Sequence, residues 1–176
     1  MTGMNGAHAT AAEAVSVSRR WRMLLIAAAA LEFLGGVRDV PILFGNLAEV
    51  PGPGLGGGII AAKIALQPIL GLAALVCAWK GRLRESLLAM AAIILMTWLS
   101  YLPSVTLHGL DLKGSAFVNL QMIFQIVLAP ALAAAVAALA IRNRITPTAI
   151  MLAILPTIAG ILGVVAFAIG VAMYGF

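Results

Sequence analysis

Leu31-Glu-Phe-Leu-Gly-Gly-Val-Arg-Asp-Val-Pro41 sets one glutamate and an Arg-Asp pair into a stretch that is otherwise hydrocarbon. On a helix Glu32, Gly35, Gly36 and Asp39 fall at i, i+3, i+4 and i+7, so two carboxylates share a face with two glycines that let another backbone approach. Such a face has to meet protein or water, because a charge left in lipid is costly. The residues from Trp21 to Leu31 are largely apolar, and Pro41 disfavours helix at Val40. The stretch reads as the far half of a membrane-spanning helix that carries a polar seam.

Composition agrees with that reading. Of the 176 residues, 63% are hydrophobic and 10% charged, with a mean hydropathy of +1.11, against about half apolar and roughly a quarter charged in soluble domains. The net charge of +5 and pI of about 10.2 would point to nucleic acid in a soluble chain. Here the basic residues gather beside the hydrophobic runs, which is a topology signal and argues against nucleic-acid binding. Cys77 is the single cysteine, so no intrachain disulfide forms, and it reads as a small packing residue.

Residues 1–18 read as a disordered cytoplasmic tail and residues 19–176 as a single transmembrane domain, with spans at about 21–39, 59–79, 86–102, 116–141 and 148–174. Ser18-Arg-Arg-Trp-Arg22 has a superficial likeness to a twin-arginine export signal. Arg22 occupies a position where such signals need an apolar residue, and the run that follows is long enough to span. Gly52, Gly54 and Gly57 form a Gly-x-Gly-x-x-Gly pattern, but no strand precedes it and no acidic residue follows at the distance a dinucleotide site requires, so 42–58 reads as a loop. In the last span Pro156, Gly160, Gly163, Phe167, Gly170 and Tyr174 alternate at spacings of four and three, a narrow seam suited to helix packing.

Eight basic residues, Arg19, Arg20, Arg22, Lys80, Arg82, Arg84, Arg142 and Arg144, flank one side of the spans, and two, Arg38 and Lys113, lie near the other. The expected placement is a bacterial-type inner (cytoplasmic) membrane with the amino terminus cytoplasmic and the carboxyl terminus outside. Shifting the chain on itself by 62 residues superposes Pro41 on Pro103, Gly52 on Gly114, Pro68 on Pro130 and Arg82 on Arg144 without a gap. The fold expected is therefore an all-α integral membrane protein, a bundle of five transmembrane helices built from two tandem parallel hairpin repeats plus one C-terminal helix.

Counting about 1.5 Å per residue from the basic ends puts Glu32 roughly 15 Å into the bilayer, and Arg38, Asp39, Lys63, Tyr101 and Gln125 near 25 Å, with Gln67 near 20 Å. Lys63 with Gln67, and Gln121 with Gln125, each share a helix face. Glu32, Arg38, Asp39, Lys63, Gln67, Tyr101 and Gln125 are the candidate ligand-binding residues of an outer-facing polar pocket with Glu32 at its floor. Glu32 would be protonated, paired with Lys63 or hydrated, whereas the plainer reading lets Lys63, Arg38 and Asp39 snorkel to the interface while a neutral Glu32 hydrogen-bonds another helix. Gly35, Gly36, Gly160 and Gly163 are the candidate helix-packing residues.

His108 and Asp111 make an incomplete metal site, and no spacing suits haem, zinc or a hydrolytic triad, so no catalytic residue, metal or cofactor is expected. The functional expectation is a non-enzymatic protein that binds or passes a small solute or ion, with an accessory or assembly subunit of a larger membrane complex as the alternative. The expected partners are the lipid bilayer and either a second copy of the chain or that larger complex.

Overall fold

The computed structural model describes residues 18–45, 54–106, 109–110 and 116–174. Residues 1–17 of the tail, and His108, Asp111 and Lys113, lie outside the described residues. The fold is helical apart from a two-residue antiparallel pairing of Val105–Thr106 with Gly109–Leu110.

Helix α1 runs Arg19–Asp39, and Pro41 stops it as expected: the chain continues as a 3-10 turn, Val40–Phe44. Helix α2, Gly54–Trp79, begins five residues earlier than the expected 59, since Gly54 to Gly58 are helical. The glycines permit this start: Gly54 takes φ +81°, and a Cβ on Gly56 would stand 3.2 Å from Pro103. Helix α3 is Leu83–Tyr101, followed by a 3-10 turn at Leu102–Ser104. Helix α4, Ala116–Ile123, passes through a π-helical turn, Phe124–Leu128, into α5, Ala129–Ile141, and α6 is Pro147–Tyr174.

Four helical segments, Gly54–Trp79, Leu83–Tyr101, Asn119–Ile141 and Pro147–Met173, are long and apolar enough to cross a membrane. By this measure the chain is a multi-pass membrane protein. Helix α1 has 21 residues but carries at least three charged residues in any 18-residue window, because Glu32 sits between arginines at both ends.

The two hairpins end in the same way. Gly81, at φ +78°, closes α2 with Arg82 N–H donating to Cys77 and Gly81 N–H to Ala78; Asn143, at φ 54°, closes α5 with Arg144 N–H donating to Leu139 and Asn143 N–H to Ala140. Both are Schellman caps. All these positions, and the bounds 54–79 and 116–141, differ by the same 62 residues.

Most of the core lies at the basic end. Leu25, Ala78, Leu87, Ala140, Ala149 and Ile150 are fully buried in one cluster, and the alanines let the backbones close up. The Arg22 guanidinium donates to the carbonyls of Ala78 and Trp79, capping the exposed end of α2, and Ser86 Oγ donates to Ala74 O at 2.9 Å. Further along, α1 crosses α2 through two glycines: a Cβ on Gly36 would stand 2.7 Å from the Pro68 nitrogen, and one on Gly71 2.7 Å from the Phe33 backbone. Beside that crossing α1, α3 and α6 do not close up, and a cavity lies between them.

Candidate functional site

The separation leaves a half-open cavity of about 630 Å³ walled by α1, α2, α3, α4 with its π turn, and α6. Prolines mark its lower edge. Pro68 in α2, Pro130 in α5 and Pro156 in α6 each remove a backbone donor near mid-span. In α5 the orphaned carbonyl is that of Ile126, four residues before Pro130, and Trp98 Nε1 of α3 donates to it at 3.1 Å. The π turn just before Pro130 carries Gln125, the kind of helix irregularity that accumulates at functional sites.

All seven residues expected to form the pocket, Glu32, Arg38, Asp39, Lys63, Gln67, Tyr101 and Gln125, line this cavity. Glu32 is held by two other helices. Gln67 Nε2 of α2 donates to its Oε2 at 3.0 Å, and Thr157 Oγ1 of α6 donates to its Oε1 at 2.7 Å. Of the partners expected for Glu32, Lys63 is not one: among the described residues Lys63 has no ion pair or hydrogen bond. Arg38 and Asp39 form a loose pair at 3.6 Å, with the Arg38 side chain 85% exposed. Gln125 is 94% buried (6% exposed), and its Oε1 has no hydrogen-bond partner among the described residues.

Two of the four glycines assigned to helix packing have a different place. Within 4 Å of where a Cβ would stand on Gly35 or Gly160 there is nothing, and both glycines line the cavity instead. Gly36 does pack, on Pro68, and Gly163 accommodates the Gln121 amide at 3.4 Å. Beyond Gly163 the expected seam has no intrachain partner: Phe167 is exposed, and a Cβ on Gly170 would meet nothing within 4 Å among the described residues.

Sequence reasoning did not place Thr157 in the site, although a hydroxyl directly after a mid-span proline was a readable sign. Gln121, which shares a helix face with Gln125, and Thr97 also line the pocket. Ser100 does not contribute, because its hydroxyl is spent on the Thr97 carbonyl at 2.6 Å. Gly71 escaped notice as the second close crossing of α1 and α2. Among the described residues no group of three or more His, Cys, Asp or Glu is placed to hold a metal ion.

The lining thus offers an anchored carboxylate, a free ammonium, amide groups and a phenol against an apolar wall. It can recognise a small polar group by charge and hydrogen bonding. Comparison with known proteins finds no matching family, no matching curated protein and no matching solved structure.

Proposed function

We propose that this chain is a non-enzymatic membrane protein that binds or passes a small polar solute or ion through the cavity above Glu32. One observation carries the reading: a glutamate inside a helical bundle has both carboxylate oxygens bonded from α2 and α6 at the foot of a polar cavity. An intramembrane carboxylate facing a cavity is a functional feature by default. In this reading α1 also crosses the bilayer, its 21 residues reaching about 30 Å, and its polar seam faces the cavity rather than lipid. In the same reading the clustered basic residues support a cytoplasmic core end and a cavity on the outer side of the inner membrane. The coincident caps and helix bounds support duplication of an ancestral hairpin, with α6 added.

A thermal-stability screen of the full chain in mild detergent tests this, using a panel of ions, pH values and small metabolites. A ligand of the folded state raises stability by roughly 2.7 kcal/mol at a hundred times its dissociation constant. The expected result is a shift that Glu32→Gln or Lys63→Met abolishes. No shift under any condition, with both variants as stable as the parent, rejects the reading.

The accessory-subunit reading has one observation of its own. Leu162, Val164, Phe167 and Met173 leave the far half of α6 exposed, a face that a second copy or a larger complex would cover. Co-purification of a stoichiometric membrane partner would favour it.

A further inference from the structure

The wall of the cavity is open on one side. Helices α1 and α6 are joined by the Glu32–Thr157 hydrogen bond. Gly35 of α1 and Gly160 of α6 both line the cavity, with nothing among the described residues within 4 Å of their Cβ positions. Val164 of α6 and Leu31 of α1 line the cavity and yet are 66% and 46% exposed at the outer surface of the bundle. Gly35 lies about 20 Å from Arg22 along α1, within the hydrocarbon thickness. An opening at that depth has Leu31 and Val164 beside it and Arg38 and Asp39 one helical turn above Gly35, so acyl chains border it below and the polar interface above.

Among the described residues, four polar side chains of the lining, Lys63, Tyr101, Gln121 and Gln125, have no hydrogen-bond or ion-pair partner. Lys63 of α2 presents an ammonium with no counter-ion among the described residues, and the buried Gln125 Oε1 accepts no hydrogen bond. Lys63 and Gln125 stand at equivalent positions of the two hairpins, 62 residues apart, and line the same cavity. A buried acceptor left unpaired is costly, so a donor that drew the Gln125 side chain toward the cavity would relieve that cost. Glu32 is already occupied by Gln67 and Thr157, which leaves Lys63 and Gln125, together with Gln121 and Tyr101 of the same lining, to choose the ligand.

We propose that the cavity holds one phospholipid molecule with a hydrogen-bond-donating headgroup, entering sideways between α1 and α6. Its phosphate sits at Lys63, its head amine or hydroxyl donates to Gln125 Oε1, and its acyl chains leave past Gly35, Gly160 and Val164. This rests on the reading of the cavity as a ligand site and names the ligand class. A headgroup with an N–H, such as ethanolamine, satisfies both groups. A trimethylammonium head has no proton to give.

The test is equilibrium binding of a tail-labelled phosphatidylethanolamine to the full chain in mild detergent, with competition by unlabelled phosphatidylethanolamine, phosphatidylcholine and free phosphoethanolamine. The expected result is one saturable site at which phosphatidylcholine competes at least tenfold more weakly and phosphoethanolamine does not compete. Gln125→Leu should erase the preference between the two lipids, and Lys63→Met should weaken binding about tenfold. Gly160→Leu, which has open space for its side chain, should weaken binding while thermal stability holds. Equal binding of both lipids, unchanged by these variants, would mean an ordinary lipid annulus and overturn the proposal. Competition by phosphoethanolamine alone would overturn sideways entry and leave a pocket for water-borne solutes. Absence of any saturable lipid site, together with stability shifts from ions, would overturn the lipid class but not the pocket; absence of both would remove both readings.

Discussion

Glu32 has two oxygens and two protein donors, and each donor comes from a different helix. Hydrogen bonds between helices in a membrane are worth about 0.6 kcal/mol on average and up to roughly 1.7 kcal/mol, because the unfolded segments also find partners. Thr157→Val should therefore destabilise the chain by about 1 kcal/mol in reversible detergent unfolding, and the loss should be much reduced in a Glu32→Gln background. Additive losses would mean that the two side chains do not act on each other. Gly71 is a different case, since its Cβ position lies 2.7 Å from the Phe33 backbone. Gly71→Leu has no flexible neighbour to displace and should cost about 3 kcal/mol or prevent folding, whereas Gly160→Leu should be tolerated. The same substitution at two glycines separates a packed crossing from an open gap.

Each helix ends or bends for a reason that can be perturbed alone. Gly81 and Asn143 hold left-handed caps at equivalent ends of α2 and α5, and a Cβ in that conformation costs roughly 1–2 kcal/mol. Gly81→Ala should destabilise by about 1 kcal/mol, and Asn143→Gly should be neutral or slightly stabilising; chemical unfolding of both variants checks the pair. Loss of the Trp98 indole should uncover the Ile126 carbonyl before Pro130, so Trp98→Phe is expected to cost about 1 kcal/mol and to speed amide exchange in the π turn. Unchanged exchange would mean that the bond at 3.1 Å does not stabilise the irregular segment.

At the scale of the molecule, a dense alanine-rich core and an open polar cavity occupy opposite ends of one bundle. That division lets the basic end stay rigid while α1, α3 and α6 leave the cavity between them at the other. The predicted threading is checked by fusing reporters to the two ends: alkaline phosphatase at the carboxyl terminus should be active and a fluorescent protein there dark, with the reverse at the amino terminus. The opposite pattern would place the cavity on the cytoplasmic side and reverse the direction from which it is supplied.

Hydrophobic runs of bilayer length, stops at Pro41 and Pro103, and polar side chains crowded into one half of the helices were legible in the residues alone. They depend only on local periodicity and on the cost of polar groups in lipid. The positions of the seven pocket residues followed from the same arithmetic of depth. What only the tertiary structure decided is which faces meet. Whether a glycine is a crossing or a gap depends on where two helices part, so Gly36 packs while its neighbour Gly35 lines a cavity. Glu32 is joined to Gln67 and Thr157 rather than to Lys63 for the same reason. Depth along a helix is written in the chain, but the rotation and tilt that bring one face against another arise from close packing at Gly36, Gly71 and the alanines of the core.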